Sequence, residues 1–69
     1  KYRYRTALLN NISERKFSIS VRNEIMLLFG NLKPEQKEEA AQKAIPIVEQ
    51  ATTEQEAYNK ITDMIEQMI

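Results

Sequence analysis

The residues with the clearest capacity for recognition lie at the start of the sequence, in the stretch KYRYR at positions 1–5. Arginine side chains contact phosphates and tyrosine rings can stack on bases, so this stretch is compatible with binding to nucleic acid. On a helix, however, Tyr2 and Tyr4 would pack against the core while the three cations stay in water. We favour this second interpretation.

The rest of the composition supports little catalytic chemistry. The 69 residues include no histidine, no cysteine and one glycine. The usual general base near neutral pH, thiol nucleophiles and glycine-rich phosphate loops are therefore excluded. Glu35 and Glu39 lie one helical turn apart, but such a pair is usually a solvated face. We expect a protein that is not an enzyme and that binds no metal and no cofactor.

The charged residues are divided unevenly along the chain. Positions 1–33 carry seven Lys or Arg and two Glu, whereas positions 34–69 carry three Lys and eight Asp or Glu. The simpler interpretation is that basic and acidic helices lie side by side within the fold. The alternative is a basic surface that meets an acidic partner. The residues predicted for that surface are Lys1, Arg3, Arg5, Arg15, Lys16 and Arg22.

A helix-turn-helix that reads duplex DNA is not expected. The last helix would have to enter the major groove. It carries Glu54, Glu56, Asp63 and Glu66 against the single Lys60, so the DNA phosphates would repel it. A weaker contact between the basic N-terminal half and a nucleic-acid backbone remains the alternative function.

The elements that must position these residues are helices. Apolar residues recur at spacings of three and four along the chain, and one glycine and two prolines leave few turns. The periodicity predicts an all-α single domain over residues 1–69, a small antiparallel bundle of four helices. The alternative is a three-helix core with an N-terminal helical arm. The predicted helices are 2–12, 19–29, 34–51 and 53–69.

Local signals support the predicted helix starts. Ser18 or Ser20 can cap the second helix, and Pro34 suits the first position of the third helix, where its missing N–H costs nothing. Thr53 followed by Glu56 is the pattern of a capping box at the start of the fourth helix.

The predicted helix ends depend on weaker signals. Asn10 and Asn11, followed by the polar stretch SERK, are predicted to end the first helix. Gly30 is predicted to end the second helix in the left-handed conformation, which glycine adopts at little cost.

The second helix is apolar around most of its circumference, which is typical of the buried centre of a bundle. We therefore predict that it forms the centre of the core, with Ile25 buried. Leu27 falls on the opposite side and is predicted to be covered by another helix or exposed to a partner. The apolar stripe of this helix comprises Ile19, Val21, Ile25, Met26, Leu28, Phe29 and Leu32.

Pro46 lies inside the third predicted helix. It falls opposite the apolar arc of that helix, and its ring removes a hydrogen bond to the carbonyl of Gln42. Water can satisfy that carbonyl on a solvent-facing side. We therefore predict one continuous, kinked helix with Pro46 exposed, rather than a break.

Function is inferred by elimination. No apolar run approaches the roughly 18 residues that a membrane helix needs, and no secretory signal pattern is present, so a cytoplasmic protein without membrane insertion is expected. The leading prediction is a small regulatory or protein-binding helical module whose partner is another protein. The alternative is a helical accessory domain that contacts nucleic-acid backbones through its basic N-terminal half. A third interpretation is a homodimer in which basic and acidic halves meet. The predicted partner-binding residues are Lys1, Arg3, Arg5, Arg15, Lys16, Arg22 and Leu27.

Overall fold

The computed structural model describes residues 3–69, of which Arg3 is described by its backbone alone. Four α-helices account for most of this range, and short connections join them. The predicted all-helical bundle is confirmed. The helix bounds lie within two residues of the predicted ones, although Tyr2, the predicted start of the first helix, lies outside the described residues. The helices are α1 (Arg3–Glu14), α2 (Ile19–Gly30), α3 (Pro34–Gln50) and α4 (Glu54–Met68).

The starts of α2 and α3 follow the local signals. The hydroxyl of Ser18 accepts a hydrogen bond from the backbone N–H of Val21 at 3.3 Å, so Ser18 is the cap of α2. Pro34 occupies the first turn of α3. The side-chain oxygen of Gln36 accepts the backbone N–H of Lys33 at 3.1 Å, which satisfies one donor at this helix start.

The start of α4 differs in one detail from the predicted capping box. The Thr53 hydroxyl accepts the N–H of Glu56 at 3.1 Å, as predicted. The Glu56 carboxylate, however, accepts hydrogen bonds from the N–H and hydroxyl of Thr52 at 3.2 and 2.6 Å. The Thr52 hydroxyl bond, helped by the Lys60 ammonium 3.1 Å away, lowers the pKa of Glu56 from 4.5 to about 2.

The end of α1 lies later than predicted. The helix continues through residues 10–11 to Glu14 and ends where Lys16 adopts a left-handed conformation with φ 57°. The Lys16 N–H donates to the Ser13 carbonyl at 3.0 Å, and the N–H of Phe17 donates to the carbonyl five residues earlier at 3.3 Å. This pair of bonds is the Schellman motif, which usually has glycine at the left-handed position.

The predicted left-handed Gly30 is wrong. Gly30 is the last residue of α2 and does not have a positive φ, and the helix is capped by Asn31 at φ −84°. The N–H groups of Asn31 and Leu32 donate to carbonyls three residues earlier at 3.3 and 3.1 Å. A tightened right-handed turn therefore ends α2, and it does not require glycine's conformational freedom.

Helices α1 and α3 lie side by side and run in the same direction. Near their starts, the backbone N–H of Tyr4 donates to Glu38 Oε1 at 3.4 Å. Near their ends, the Arg15 guanidinium donates to the Glu49 carbonyl at 2.8 Å. Both bonds join residues that are 34 positions apart, which is possible only if the two helices point the same way.

The other contacts complete the arrangement. The side-chain amide of Gln36 donates to the Met68 carbonyl at 3.1 Å, so α4 returns antiparallel to α3. The N–H of Ser18 donates to a Glu54 carboxylate oxygen at 2.7 Å, which places the start of α2 beside the start of α4. The closest helix approaches join α1 to α3, α3 to α4 and α4 to α2. The packing order is therefore α1, α3, α4, α2, with α1 and α2 as its first and last members.

The centre of the core is α3, and the prediction that α2 occupies this place is wrong. Among the described helices, α3 buries the most residues, and it packs against both α1 and α4. Three of its four buried residues are alanines, which allow neighbouring helices to approach closely. In α2 only Ile25 and Phe29 are fully buried, and Ile19 is 74% exposed. The buried residues of α3 are Ala40, Ala41, Ala44 and Val48.

Helix α1 belongs to the core rather than forming an arm. Leu8 and Ile12 are almost completely buried within the same apolar cluster as Ile25, Ile61 and Ile65. The three-helix alternative is therefore wrong, because two large side chains of α1 are part of the central packing.

Helix α3 is continuous across Pro46, and the proline is exposed. The prediction of one helix with a solvent-facing proline is confirmed.

Candidate functional site

An apolar groove with a volume of about 260 Å³ lies between α1 and α2. We call it the α1–α2 groove. Leu8 and Phe29 form its buried floor, and Leu9 and Met26 are partly exposed at its sides. The lining residues are Arg5, Leu8, Leu9, Met26, Phe29, Gly30 and Lys37.

The groove exists because of the order in which the helices pack. Helix α1 lies against α3, and α2 lies against α4, so α1 and α2 approach each other less closely than each approaches its main neighbour. A Cβ atom added at Gly30 would meet no atom of another helix within 4 Å, so this edge of the groove is open. The apolar groups of α1 and α2 are therefore accessible here, although each helix is firmly docked on its other side.

Two cations and no carboxylate line the groove. The Nε atom of Arg5 lies 3.8 Å from Glu38 Oε2, so Glu38 partly neutralises the guanidinium. The other oxygen of Glu38 accepts the N–H of Tyr4. Lys37 is half-buried, and no carboxylate of the described residues lies within ion-pair distance of its ammonium. Lys37 is therefore the main uncompensated charge of the groove.

Helix α2 also carries two exposed apolar side chains outside the α1–α2 groove. Leu27 is 68% exposed and lies one turn before Gly30 on the same side of the helix. Ile19, the first residue of α2 and about two turns before Leu27, is 74% exposed. Single exposed apolar residues are ordinary, but two on one short helix that also lines an apolar groove are a stronger indication of an interaction surface.

The structure separates the basic residues predicted from the sequence. Lys1 and the side chain of Arg3 lie outside the described residues. Arg5 lies at the groove, near the start of α1, whereas Arg15 lies ten residues later, about 15 Å along the helix axis. Arg22 is exposed on α2. Arg5 and Arg15 therefore lie near opposite ends of α1.

The hydrogen bonds that Arg15 makes within the fold account for this residue without a binding partner. Its guanidinium donates to the Glu49 carbonyl at 2.8 Å and also to the Ala51 carbonyl. Both acceptors are at the end of α3, where carbonyls lack helical donors and the helix dipole is negative. Arg15 therefore joins the end of α1 to the end of α3. Lys16, beside it, occupies the left-handed turn that ends α1.

The sequence reasoning missed Lys37 and Glu38. A signal for Lys37 was present, because it precedes Ala40 and Ala41 by three and four residues and so shares their side of α3. A charged residue in the register of a buried stripe usually lies at the edge of that stripe. Nothing in the sequence indicated Glu38, whose partners Tyr4 and Arg5 are more than 30 residues away.

Other kinds of site find no support in the part of the chain that the structure describes. Within residues 3–69, no three His, Cys, Asp or Glu side chains are grouped in a way that could hold a metal ion. None of the helices within that range is long and apolar enough to span a membrane.

Comparison with known proteins adds no assignment, since no protein-family model, curated protein or solved structure matches the chain.

Proposed function

We propose that this chain is a small, non-catalytic protein-binding module that presents the α1–α2 groove and the neighbouring face of α2 to another protein. The observation that carries the proposal is the 68% exposure of Leu27, which follows the groove residue Met26, together with the 74% exposure of Ile19 at the start of the same helix. Interfaces combine an apolar centre, often containing methionine, with a polar rim, and Met26 and the groove cations match this composition.

The alternative of a nucleic-acid-binding domain receives less support from the geometry. Binding to phosphates requires several cations that can turn toward one strand. Arg5 contacts Glu38, and the Arg15 guanidinium donates to carbonyls at the end of α3. Of the predicted basic residues whose side chains are described, Lys16 and Arg22 are the ones that would have to carry the binding.

The proposal can be tested by retention of a partner from an extract of the source cell, treated with nuclease, on immobilised protein. The informative variant is Ile19→Ser with Leu27→Ser, and the matched control is Ile69→Ser, because Ile69 is also 74% exposed but lies at the end of α4. Thermal unfolding of each variant establishes that the fold is retained.

We expect the same partner protein to be retained by the unmodified chain and by Ile69→Ser, and to be lost with the double variant. Unchanged retention by the folded double variant would contradict the proposed surface. Loss of the captured material on nuclease treatment alone would favour the nucleic-acid alternative instead.

A further inference from the structure

We infer that the α1–α2 groove receives an amphipathic helix of another protein, and that this helix carries an acidic side chain next to its apolar residues. The inference deepens the proposed function and depends on it. It follows from three observations: the volume of the groove, the exposed apolar side chains of α2 and the sign of the charge in the groove lining.

The volume favours side chains of a larger partner over a free small molecule. Pockets that enclose drug-sized ligands or cofactors measure roughly 300–1,000 Å³. The α1–α2 groove, at about 260 Å³, falls below that range and is open along the edge at Gly30. A space of this kind can accept one or two apolar side chains that are presented by a partner's backbone.

Helix α2 has exposed apolar side chains outside the groove as well. From Ile19 to Gly30 the helix rises about 16 Å, which corresponds to three helical turns. Leu27 and Ile19 provide exposed apolar contacts along that length. A partner helix of similar length can place one side chain in the groove and further side chains, spaced by three or four residues, against α2.

The charge of the groove determines the chemistry of the partner. Its lining contains Arg5 and Lys37 and no carboxylate, and Lys37 has no acidic partner among the described residues. Lys37 is half-buried, lines the groove and precedes Ala40 and Ala41 by three and four residues, so it lies at the edge of the apolar side of α3. A carboxylate on the partner helix could pair with it there, whereas a lysine would be repelled.

The test uses synthetic stapled helices of about 14 residues, long enough to span the three turns of α2. Each has leucines spaced three and four apart, and flanking positions carry glutamate in one peptide, glutamine in the second and lysine in the third. Binding is measured by fluorescence anisotropy, and the contact surface is mapped from amide NMR shifts of Leu9, Met26 and Gly30. Decanoate is titrated separately as a small apolar anion.

We expect the glutamate peptide to shift the groove resonances and to bind about tenfold more tightly than the lysine peptide at low salt, with the difference shrinking as salt is added. Lys37→Glu should reverse that order. Lys43→Glu is the matched control, because Lys43 is also on α3 but pairs with Glu39 at 3.2 Å and does not line the groove. Lys43→Glu should leave the order of the peptide affinities unchanged.

The results separate this inference from the proposed function. If all three peptides bind the groove equally, or if Lys37→Glu has no effect, the acidic partner is refuted while the protein-binding surface stands. If no peptide shifts the groove resonances but Ile19→Ser with Leu27→Ser still loses the cellular partner, the groove is not the helix site and only this inference fails. If no peptide binds and the double variant keeps its partner, both fail.

Two other occupants would also overturn the inference. Binding of decanoate to the groove without binding of any peptide would identify a small amphiphile as the ligand. Concentration-dependent shifts of the groove resonances, together with a doubled mass in light scattering, would identify a second copy of the chain as the occupant.

Discussion

Replacement of Ile25 by valine gives the sharpest test of the core. Ile25 is fully buried within the cluster that includes residues from all four helices. The change deletes one methylene group, and buried Ile-to-Val changes typically cost about 0.5–1.5 kcal/mol, from lost apolar burial plus the small cavity that remains. We expect a loss of about 1 kcal/mol for a site without solvent contact.

The valine variant is preferable to Ile25→Ala for a quantitative measurement. The alanine change should cost about 2–5 kcal/mol. A chain of 69 residues without disulfides is expected to have a total stability on the order of 3–5 kcal/mol. Ile25→Ala is therefore expected to unfold a large fraction of the protein, whereas Ile25→Val leaves a folded state to measure.

The assay is urea unfolding followed by circular dichroism, supported by thermal melts. A loss of 1 kcal/mol should lower Tm by about 4–8 °C for a domain of this size. The matched control is Ile19→Val, which makes the same chemical change on the same helix at a position that is 74% exposed. It should change stability by less than about 0.5 kcal/mol. Equal losses at the two positions, or no measurable loss at Ile25, would refute the packing described here.

Four further predictions concern single features. Pro46→Ala should be neutral or stabilising, by up to about 3 kcal/mol, because it restores a helical hydrogen bond at an exposed position; a lower urea midpoint would contradict this. Lys16→Gly should stabilise by about 1 kcal/mol, because φ 57° strains a residue that has a Cβ atom, and an unchanged midpoint would count against the left-handed turn. The pKa of Glu56 lies below its ordinary 4.5, so its stabilising contribution is complete above pH 4.5 and is lost as pH falls toward 2. Carboxyl NMR should give a midpoint near 2, and Thr52→Val should raise it. Single-stranded oligonucleotides should bind more weakly than about 100 μM at about 50 mM salt, and micromolar binding that is lost on Arg22→Glu would promote the nucleic-acid alternative.

The helices were predictable because their signals are local. Ser18, Pro34 and Thr53 each act on the first turn of the helix they precede, and the groups involved lie within four residues of one another. Leu8 and Ile12 are four residues apart and so share one side of α1, and both are almost completely buried. These features need no knowledge of the rest of the fold.

The predictions that were wrong concern residues whose local preference differs from what the packing of the helices requires. Asn10 and Asn11 are poor helix formers, yet α1 continues past them because Ile12 is held in the core. Ile19 is apolar and belongs to the predicted stripe of α2, but no helix covers it, since α2 packs mainly against α4. An apolar stripe indicates that a face can be buried, but it does not indicate how many neighbours are available to bury it.

The sequence by itself determined the all-helical class of this protein, the number of its helices, their capped starts and the absence of histidine and cysteine. The tertiary structure alone decided that α3 is the centre of the core and that Arg15 joins the ends of α1 and α3. It also decided that Lys37 lines the α1–α2 groove without a carboxylate partner among the described residues. The reason is the range of the interactions. Helix formation and capping depend on groups within about four residues, whereas the groove depends on contacts between residues that are 34 or more positions apart.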